Sequence, residues 1–340
     1  SYSATKATAG FKYAPSPDVA VRASWGTGFL APSLSQLRIG PTAVVNTALS
    51  DPKRGNQPTT VSSIRLSGGS PDLKAEDSES VSGGVILTPR FLPGLRLSID
   101  YTRITKTDEI GNLTISQTLD YEDQLPGRIV RAPLTAQDQT LGYTGGAITQ
   151  IDFRTLNIAG KRVTAWDFQA DYTWKTVSWG EFQSYASATY QPDFQTKSVP
   201  AVPFVQLVGN AATLLWRGNG GLNWTKSRLS LGWNMQYYDS YRIYSQTATP
   251  AFIATSILNQ GSPTIPSQVY HDVQLRYQWG AKPEGWQRYF AHTQVTVGVQ
   301  NIRNTSPAIT ATTNESAIFA ISPFGDPRGA RYTMDVRRQF

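Results

Sequence analysis

The sequence predicts an all-β chain: a transmembrane antiparallel up-and-down β-barrel, of which it supplies about eleven strands. Three observations carry this expectation. Apolar and polar residues alternate with a period of two over segments of about 10–13 residues, which places successive side chains on opposite faces of a strand. The links between these segments are alternately short and long. The composition also departs from that of a water-soluble domain.

The chain has 340 residues, with 28 glycines, 21 prolines, nine tryptophans and only 16% charged residues. Soluble domains carry roughly 25% charge, so something other than water is expected to face part of the chain. Glycine, proline, aromatic residues, Ser and Thr displace the usual helix formers, which argues against a helical fold. An apolar fraction of 39%, with 11% aromatic residues, excludes general disorder. No cysteine is present, which rules out a disulfide framework, a thiolate metal site and a cysteine nucleophile. Two histidines, His271 and His292, are too few for an imidazole-based metal or haem site, and no cofactor is expected. The net charge of +7 comes from scattered Lys and Arg, with one knot at Arg328, Arg331, Arg337 and Arg338, so no nucleic-acid partner is expected. No apolar run approaches the ~18 residues of a membrane helix, a test that leaves membrane strands open.

Each strand shows one apolar parity. Val19, Val21, Ala23, Trp25 and Phe29 alternate with Arg22, Ser24 and Gly26. Trp166, Phe168, Ala170, Tyr172 and Trp174 alternate with Asp167, Gln169, Asp171 and Thr173. Leu229 to Tyr237 and Val269 to Trp279 repeat the pattern, as do Tyr332, Met334, Val336 and Phe340 against Arg331, Thr333, Asp335, Arg337 and Gln339. Such runs exceed the usual 5–6 residues of soluble strands and suffice to cross a bilayer at a tilt. Tyr13, Trp174, Trp224 and Trp279 sit near the ends of apolar faces, where interfacial girdles lie. The polar parity, with Arg22, Asp100, Asp167, Asp171, Asp272, Arg276, Asp335 and Arg337, is expected to line a lumen and to meet a plug or the lumen wall.

The expected strands lie at about 2–13, 19–29, 75–88, 95–107, 161–174, 181–191, 212–225, 228–241, 267–279, 290–300 and 329–340. The short links are Pro15 to Asp18, Pro89 to Gly94, Lys175 to Gly180, Lys226-Ser227 and Gly280 to Tyr289. The long ones cover 30–74, 108–160, 192–211, 242–266 and 301–328, with 147–158 read as a strand extension or a hairpin inside a long link. Outer-membrane barrels sort short turns to the periplasmic rim and long loops to the extracellular rim. With the C-terminus in the periplasm, every short turn falls on that side. An odd count cannot close as an even-stranded barrel, and eleven is half of the 22-stranded plugged class.

Particular stretches then resemble one family. Arg22-Ala-Ser-Trp-Gly-Thr-Gly-Phe-Leu-Ala-Pro-Ser33 is similar to the "R-x-S-W-x-x-G-F-R-A-P" stretch of TonB-dependent outer-membrane receptors. Pro71-Asp-Leu-Lys-Ala-Glu76, followed by Ser78 to Leu87, resembles their "N-P-D-L-K-P-E" segment, and Leu92-Pro-Gly-Leu95 to Tyr101 their next turn and strand. Asn301-Ile-Arg-Asn304 and Asp326-Pro-Arg-Gly-Ala-Arg-Tyr332 resemble the terminal loop and strand. Leu30, Ser70 and Ala75 stand where the family usually has Arg, Asn and Pro. The matching stretches span residues 22–340, and the resemblance implies that the chain, 1–340, is the C-terminal part of the receptor barrel. It implies a plug and a first barrel half, in the same or a separate chain, and a TonB-type energy-transducing protein acting through the plug. It implies outer-membrane lipid and lipopolysaccharide around the wall, a small-molecule or oligomeric substrate, and no enzyme. Tyr332, Met334, Val336 and Phe340 resemble the signal read by the barrel-assembly machinery.

Competing readings are weaker. Gly26-Thr-Gly-Phe-Leu-Ala31 fits a dinucleotide fingerprint, yet Pro32 and a polar loop follow where a helix is required. Ser267 and His271 share a parity, which would suit a barrel lipase. A self-contained porin of about twelve strands is the other alternative.

Overall fold

The computed structural model describes residues 4–56, 58–199, 202–210, 213–246, 248–280, 284–311 and 321–338. Eleven strands follow one another in chain order through one sheet: β1 (Thr8–Ser16), β2 (Val19–Leu30), β3 (Glu76–Leu87), β4 (Leu95–Gly111), β5 (Leu156–Thr176), β6 (Gly180–Lys197), β7 (Trp216–Lys226), β8 (Leu229–Tyr238), β9 (Gln268–Gln278), β10 (Thr293–Gln300) and β11 (Arg331–Arg338). Every neighbouring pair is antiparallel. A two-residue strand, Val205–Gln206, adds to the end of β6. The order terminates at β1 and β11, so the sheet is open among the described residues. With antiparallel steps throughout, β1 and β11 run in the same direction.

All eleven expected strands are present, with shifted bounds. The first begins at Thr8 rather than residue 2, the seventh at Trp216 rather than 212, and the tenth at Thr293 rather than 290. The segment 147–158 divides: Ile148–Asp152 joins a separate small sheet, and Leu156 begins β5. β4, β5 and β6, at 17, 21 and 18 residues, outrun the 9–11 residues a tilted membrane strand needs. Trp279 lies just past the end of β9.

Turn chemistry fixes the register at the short-link end. Lys226 pairs with Leu229 around a two-residue turn, with Ser227 at φ 56°, the left-handed value that the primed hairpin turns need. Gly94 opens β4 at φ 92°, and its carbonyl accepts the Thr173 amide at 3.0 Å. A Cβ there would lie 2.0 Å from the Thr173 carbonyl oxygen, so only glycine fits.

Burial is inverted relative to a soluble protein. Leu231, Trp233, Leu275, Val297, Met334 and Val336, all on the apolar parity of the sheet, are exposed, and no second layer covers them among the described residues. The buried apolar clusters belong to the long links instead. A sandwich would bury its apolar face against a second sheet. A membrane wall leaves it to lipid, with every backbone bond satisfied between strands.

The two longest links fold together. Ile39–Ser50 pairs with Pro58–Gly68, which runs parallel to Ile148–Asp152, which in turn pairs with Ile129–Arg131. Leu49, Leu119, Ile129, Ile148 and Ile151 form the core of this headpiece, joined by Val61, Ile115 and Phe153. A second loop cluster packs Tyr241, Ile265 and Leu214 against Tyr238 and Phe324.

Candidate functional site

The polar face of the sheet forms rows of residues in cross-strand register. Lys12, Arg22, Gly84, Asp100, Asp167, Thr189, Arg217, Tyr238 and Gln268 stand opposite one another from β1 to β9. Residues directly opposite project to the same side. Arg22 reaches across β3, over the bare Gly84, to grip Asp100 with two bonds of 2.8 and 2.7 Å. A Cβ on Gly84 would lie 1.9 Å from an Asp100 carboxylate oxygen, so the glycine makes room for the pair. Asp167 accepts the Thr189 hydroxyl at 2.7 Å.

A second row joins Arg96, Asp171, Tyr185, Gly221, Asn234 and Asp272. Tyr185 crosses Gly221 and donates to Asn234 at 2.8 Å, and Asn234 donates to Asp272 at 3.4 Å. Asp272 also accepts the Asn301 amide at 2.8 Å, which ties the row to the start of the last long link. Arg96 stands 3.6 Å from Asp171. In a third row Ser230, Arg276, Thr296 and Asp335 align, and Asp335 pairs with Arg337 at 3.0 Å. Arg276 has no ion pair among the described residues. All eight charged candidates thus share one face, and among the described residues ion pairs between them join only Arg22 with Asp100 and Asp335 with Arg337.

This face is hollowed. About 500 Å³ opens beside Thr189, Arg217, Asn219 and Tyr238. A further 260 Å³ lies beside Tyr270, Asp272, Asn301 and Arg331.

On the opposite face the rings gather at two levels. Tyr172, Trp174 and Phe182 stack at 4.9 and 5.1 Å near the short-link end. Tyr101 with Trp166, and Phe168 and Tyr190 with Trp216, gather near the other end. Trp166 and Trp174 are eight residues apart on β5, roughly 26 Å along the strand at ~3.3 Å per residue, or about 20 Å of height at a tilt of about 40°, most of the apolar band of a barrel. Tyr13 pairs with Val21 on this face, Trp224 donates its indole N–H to the Trp179 carbonyl at 2.6 Å, and Trp279 stacks on Phe290 at 5.1 Å. The alternation had pointed to the short-link ring only; Tyr101, Trp166, Tyr190 and Trp216 complete the other. Tyr332, Met334 and Val336 lie exposed on the apolar face of β11, and Phe340 lies outside the described residues. His271 stacks on Trp233, whose indole N–H approaches its Nδ1 at 3.3 Å.

The headpiece holds the most buried charges. Arg131 bonds both oxygens of Asp51, at 2.7 and 2.9 Å, and both oxygens of Glu122, at 2.8 and 2.7 Å. Burial pulls this guanidinium down, but the bonds to Glu122 and Asp51 outweigh it and hold it above its ordinary value. Lys53 joins the group through Glu122 at 3.4 Å and also meets Asp123 at 2.6 Å. Asp138 caps its own short helix by accepting the Thr135 amide at 3.0 Å and meets Arg54 at 2.8 Å; these bonds bring its carboxyl down to about 2. Burial pushes the Asp152 carboxyl up, and Arg154 and Arg128 overcome this to leave it below the usual range. No spacing in the sequence announces the pairs of Arg131 with Asp51, Arg54 with Asp138 or Lys53 with Asp123, because those partners come from separate links.

No group of three or more His, Cys, Asp or Glu side chains suited to a metal ion occurs among the described residues. A family model described as TonB dependent receptor-like, beta-barrel, matches residues 1–302. No curated protein matches the sequence. Solved structures do. The siderophore receptor PirA from Acinetobacter baumannii is 15% identical with a TM-score of 0.62, over 97% of this chain and 40% of that one. The ferric enterobactin receptor PfeA from Pseudomonas aeruginosa is 13% identical with a TM-score of 0.60, over 97% and 39%. The copper transporter OprC is 10% identical with a TM-score of 0.52, over 97% and 38%. The chain therefore spans about two fifths of each, and at these identities the likeness is one of fold.

Proposed function

Because this chain belongs to the TonB-dependent receptor-like β-barrel family of the outer membrane, we propose that it forms part of the wall of an import receptor driven through TonB. The polar face lines the lumen and seats a plug, the apolar face meets lipid, and the headpiece captures solute outside the cell. The long links are then extracellular and the end of β11 periplasmic.

The observation that supports this most is the division of the sheet: paired charges and hollows on one face, exposed apolar side chains between two aromatic levels on the other. The open edges add a constraint. Since β1 and β11 run the same way, an all-antiparallel closure needs a complement with an odd number of strands, and eleven more would give the 22 of plugged transporters. Two copies of this chain in one orientation would meet in parallel at both seams. Arg22, Asp100, Asp167, Asp171, Asp272, Arg276, Asp335 and Arg337 are assigned to plug and wall contacts rather than to direct solute ligation.

The test is reconstitution. Residues 1–340 alone should give no heat-modifiable band in gel electrophoresis, and co-expression with a plug-bearing complementary half should restore it. Solute uptake by the restored receptor should stop when the inner-membrane proton gradient is collapsed. A closed channel from 1–340 alone, or uptake indifferent to the gradient, would refute this reading.

A further inference from the structure

The short-link end of the sheet is unlike a rim meant only for water. Val177, Trp179, Trp286 and Tyr289 lie in its turns at 109%, 67%, 67% and 65% exposure. The last two belong to a short 3-10 helix, Gly285–Phe290. These rings continue the apolar face of the wall: Trp286 meets Phe290 edge-on at 5.9 Å, Phe290 stacks on Trp279 at 5.1 Å, and Trp279 meets Tyr277 of β9 at 4.7 Å. One turn over, Trp224 of β7 holds the Trp179 carbonyl.

Cations are interleaved with the rings. Lys226 lies 6.0 Å from the Trp179 ring centroid, and Arg288 lies 5.1 Å from that of Tyr289. Arg228, between those two turns, abuts Gly280, where a Cβ would meet its Nη2 at 3.2 Å. The acids of the neighbouring turns are engaged, Asp18 by Arg90 and Glu181 by Lys175. Lys226, Arg228 and Arg288 form no ion pair among the described residues, and Glu284 stands at the N-cap of the 3-10 helix that carries Arg288.

We propose that Trp179, Lys226, Arg228, Trp286, Arg288 and Tyr289 form a collar that binds the phosphate headgroups of anionic phospholipid in the leaflet bordering this rim. Amphipathic rings settle at the headgroup level, and long cationic side chains reach the phosphates just beyond it. Each such cation adds to the attraction of an anionic leaflet. Continuity of the rings with the lipid-facing wall and the unpaired positive charge favour a lipid surface over a periplasmic protein. The inference rests on the membrane-wall reading above.

The chain has no cysteine, so a single substitution creates a single labelling site within it. The receptor carrying Trp286→Cys with an environment-sensitive fluorophore is placed in vesicles of phosphatidylethanolamine and phosphatidylglycerol. The label should resist aqueous iodide, and spin-labelled phosphatidylglycerol should quench it several-fold better than spin-labelled phosphatidylcholine. Lys226→Ala, Arg228→Ala and Arg288→Ala together should bring that ratio to unity. Iodide quenching as complete as at Gln139→Cys in the headpiece, or a ratio of unity with the three cations intact, would overturn the collar. Tyr289→Cys repeats the measurement if Trp286→Cys fails to fold. A label at Leu231→Cys separates the two readings: quenched by deep spin-labelled lipid while the rim label stays aqueous, it leaves the wall standing and removes only the collar.

Discussion

Arg131 and Asp51, 80 residues apart in the chain, form a two-bond ion pair that locks one long link onto another. Glu122 closes the same guanidinium from the other side, so three nearly buried charges share one site. The consequence is mechanical: links 30–74 and 108–155 form one body.

Removing the cation leaves the buried Asp51 carboxylate with only the Lys53 amide, and Glu122 with only the Lys53 ammonium at 3.4 Å. Arg131→Met should cost the headpiece about 3–5 kcal/mol, the usual penalty for breaking a buried pair from one side. Hydrogen exchange should quicken in Ile39–Ser50 and Ile148–Asp152 together, with β7 to β9 unchanged. Loosening of one segment alone would show that the links move independently.

Asp138 gives the headpiece an acid-sensitive lock. Its folded value, about 2, lies below the unfolded carboxylate value of ~3.9, so its contribution is full above the latter and is lost as pH falls through the former. Wild type should be more stable than Asp138→Asn at neutral pH, and the difference should shrink between about pH 4 and pH 2. A difference constant across that window, measured by protease resistance of the headpiece, would mean the carboxylate is not held by Arg54 and the Thr135 amide.

The two faces of β8 and β9 should respond oppositely to charge. Leu231→Arg or Val273→Arg places a cation on the lipid side and should cost about 2–4 kcal/mol in folding into bilayers. Gln274→Arg, on the polar side of the same strand as Val273, should cost little. Equal losses in a urea-driven folding titration would reject the assignment of faces.

Gly94→Ala tests the turn before β4. Left-handed backbone together with a Cβ 2.0 Å from the Thr173 carbonyl should cost roughly 1–3 kcal/mol and slow wall assembly. Gly127→Ala is the control: its φ is 84°, with nothing within 4 Å of the added Cβ, so it carries the backbone penalty alone. Similar losses at both positions would show that the close approach to Thr173 contributes nothing.

The sequence carried much of the wall. A strand of period two with one apolar parity has little freedom, and the eleven segments from Thr8 to Arg338 appear in order with the expected faces. Bounds were less legible where strands leave the membrane. Beyond Trp166, β5 continues to Leu156 through Arg162, Lys161 and Gly160, where burial no longer enforces alternation. The other aromatic level was missed because Tyr101, Trp166 and Tyr190 sit inside long strands rather than at their ends.

What the sequence by itself determined was local: which side chains of each strand face together, and which links are short. The rest required distant segments to meet. Gly84 and Gly221 are ordinary strand glycines until Asp100 and Tyr185 from neighbouring strands fill the space above them. Arg131 is one arginine among many until Asp51 and Glu122 are brought to it. Side-chain parity follows from the backbone repeat alone, whereas an ion pair across 80 residues exists only once chain entropy has been overcome by the contacts around it, and the linear order of residues does not record those contacts.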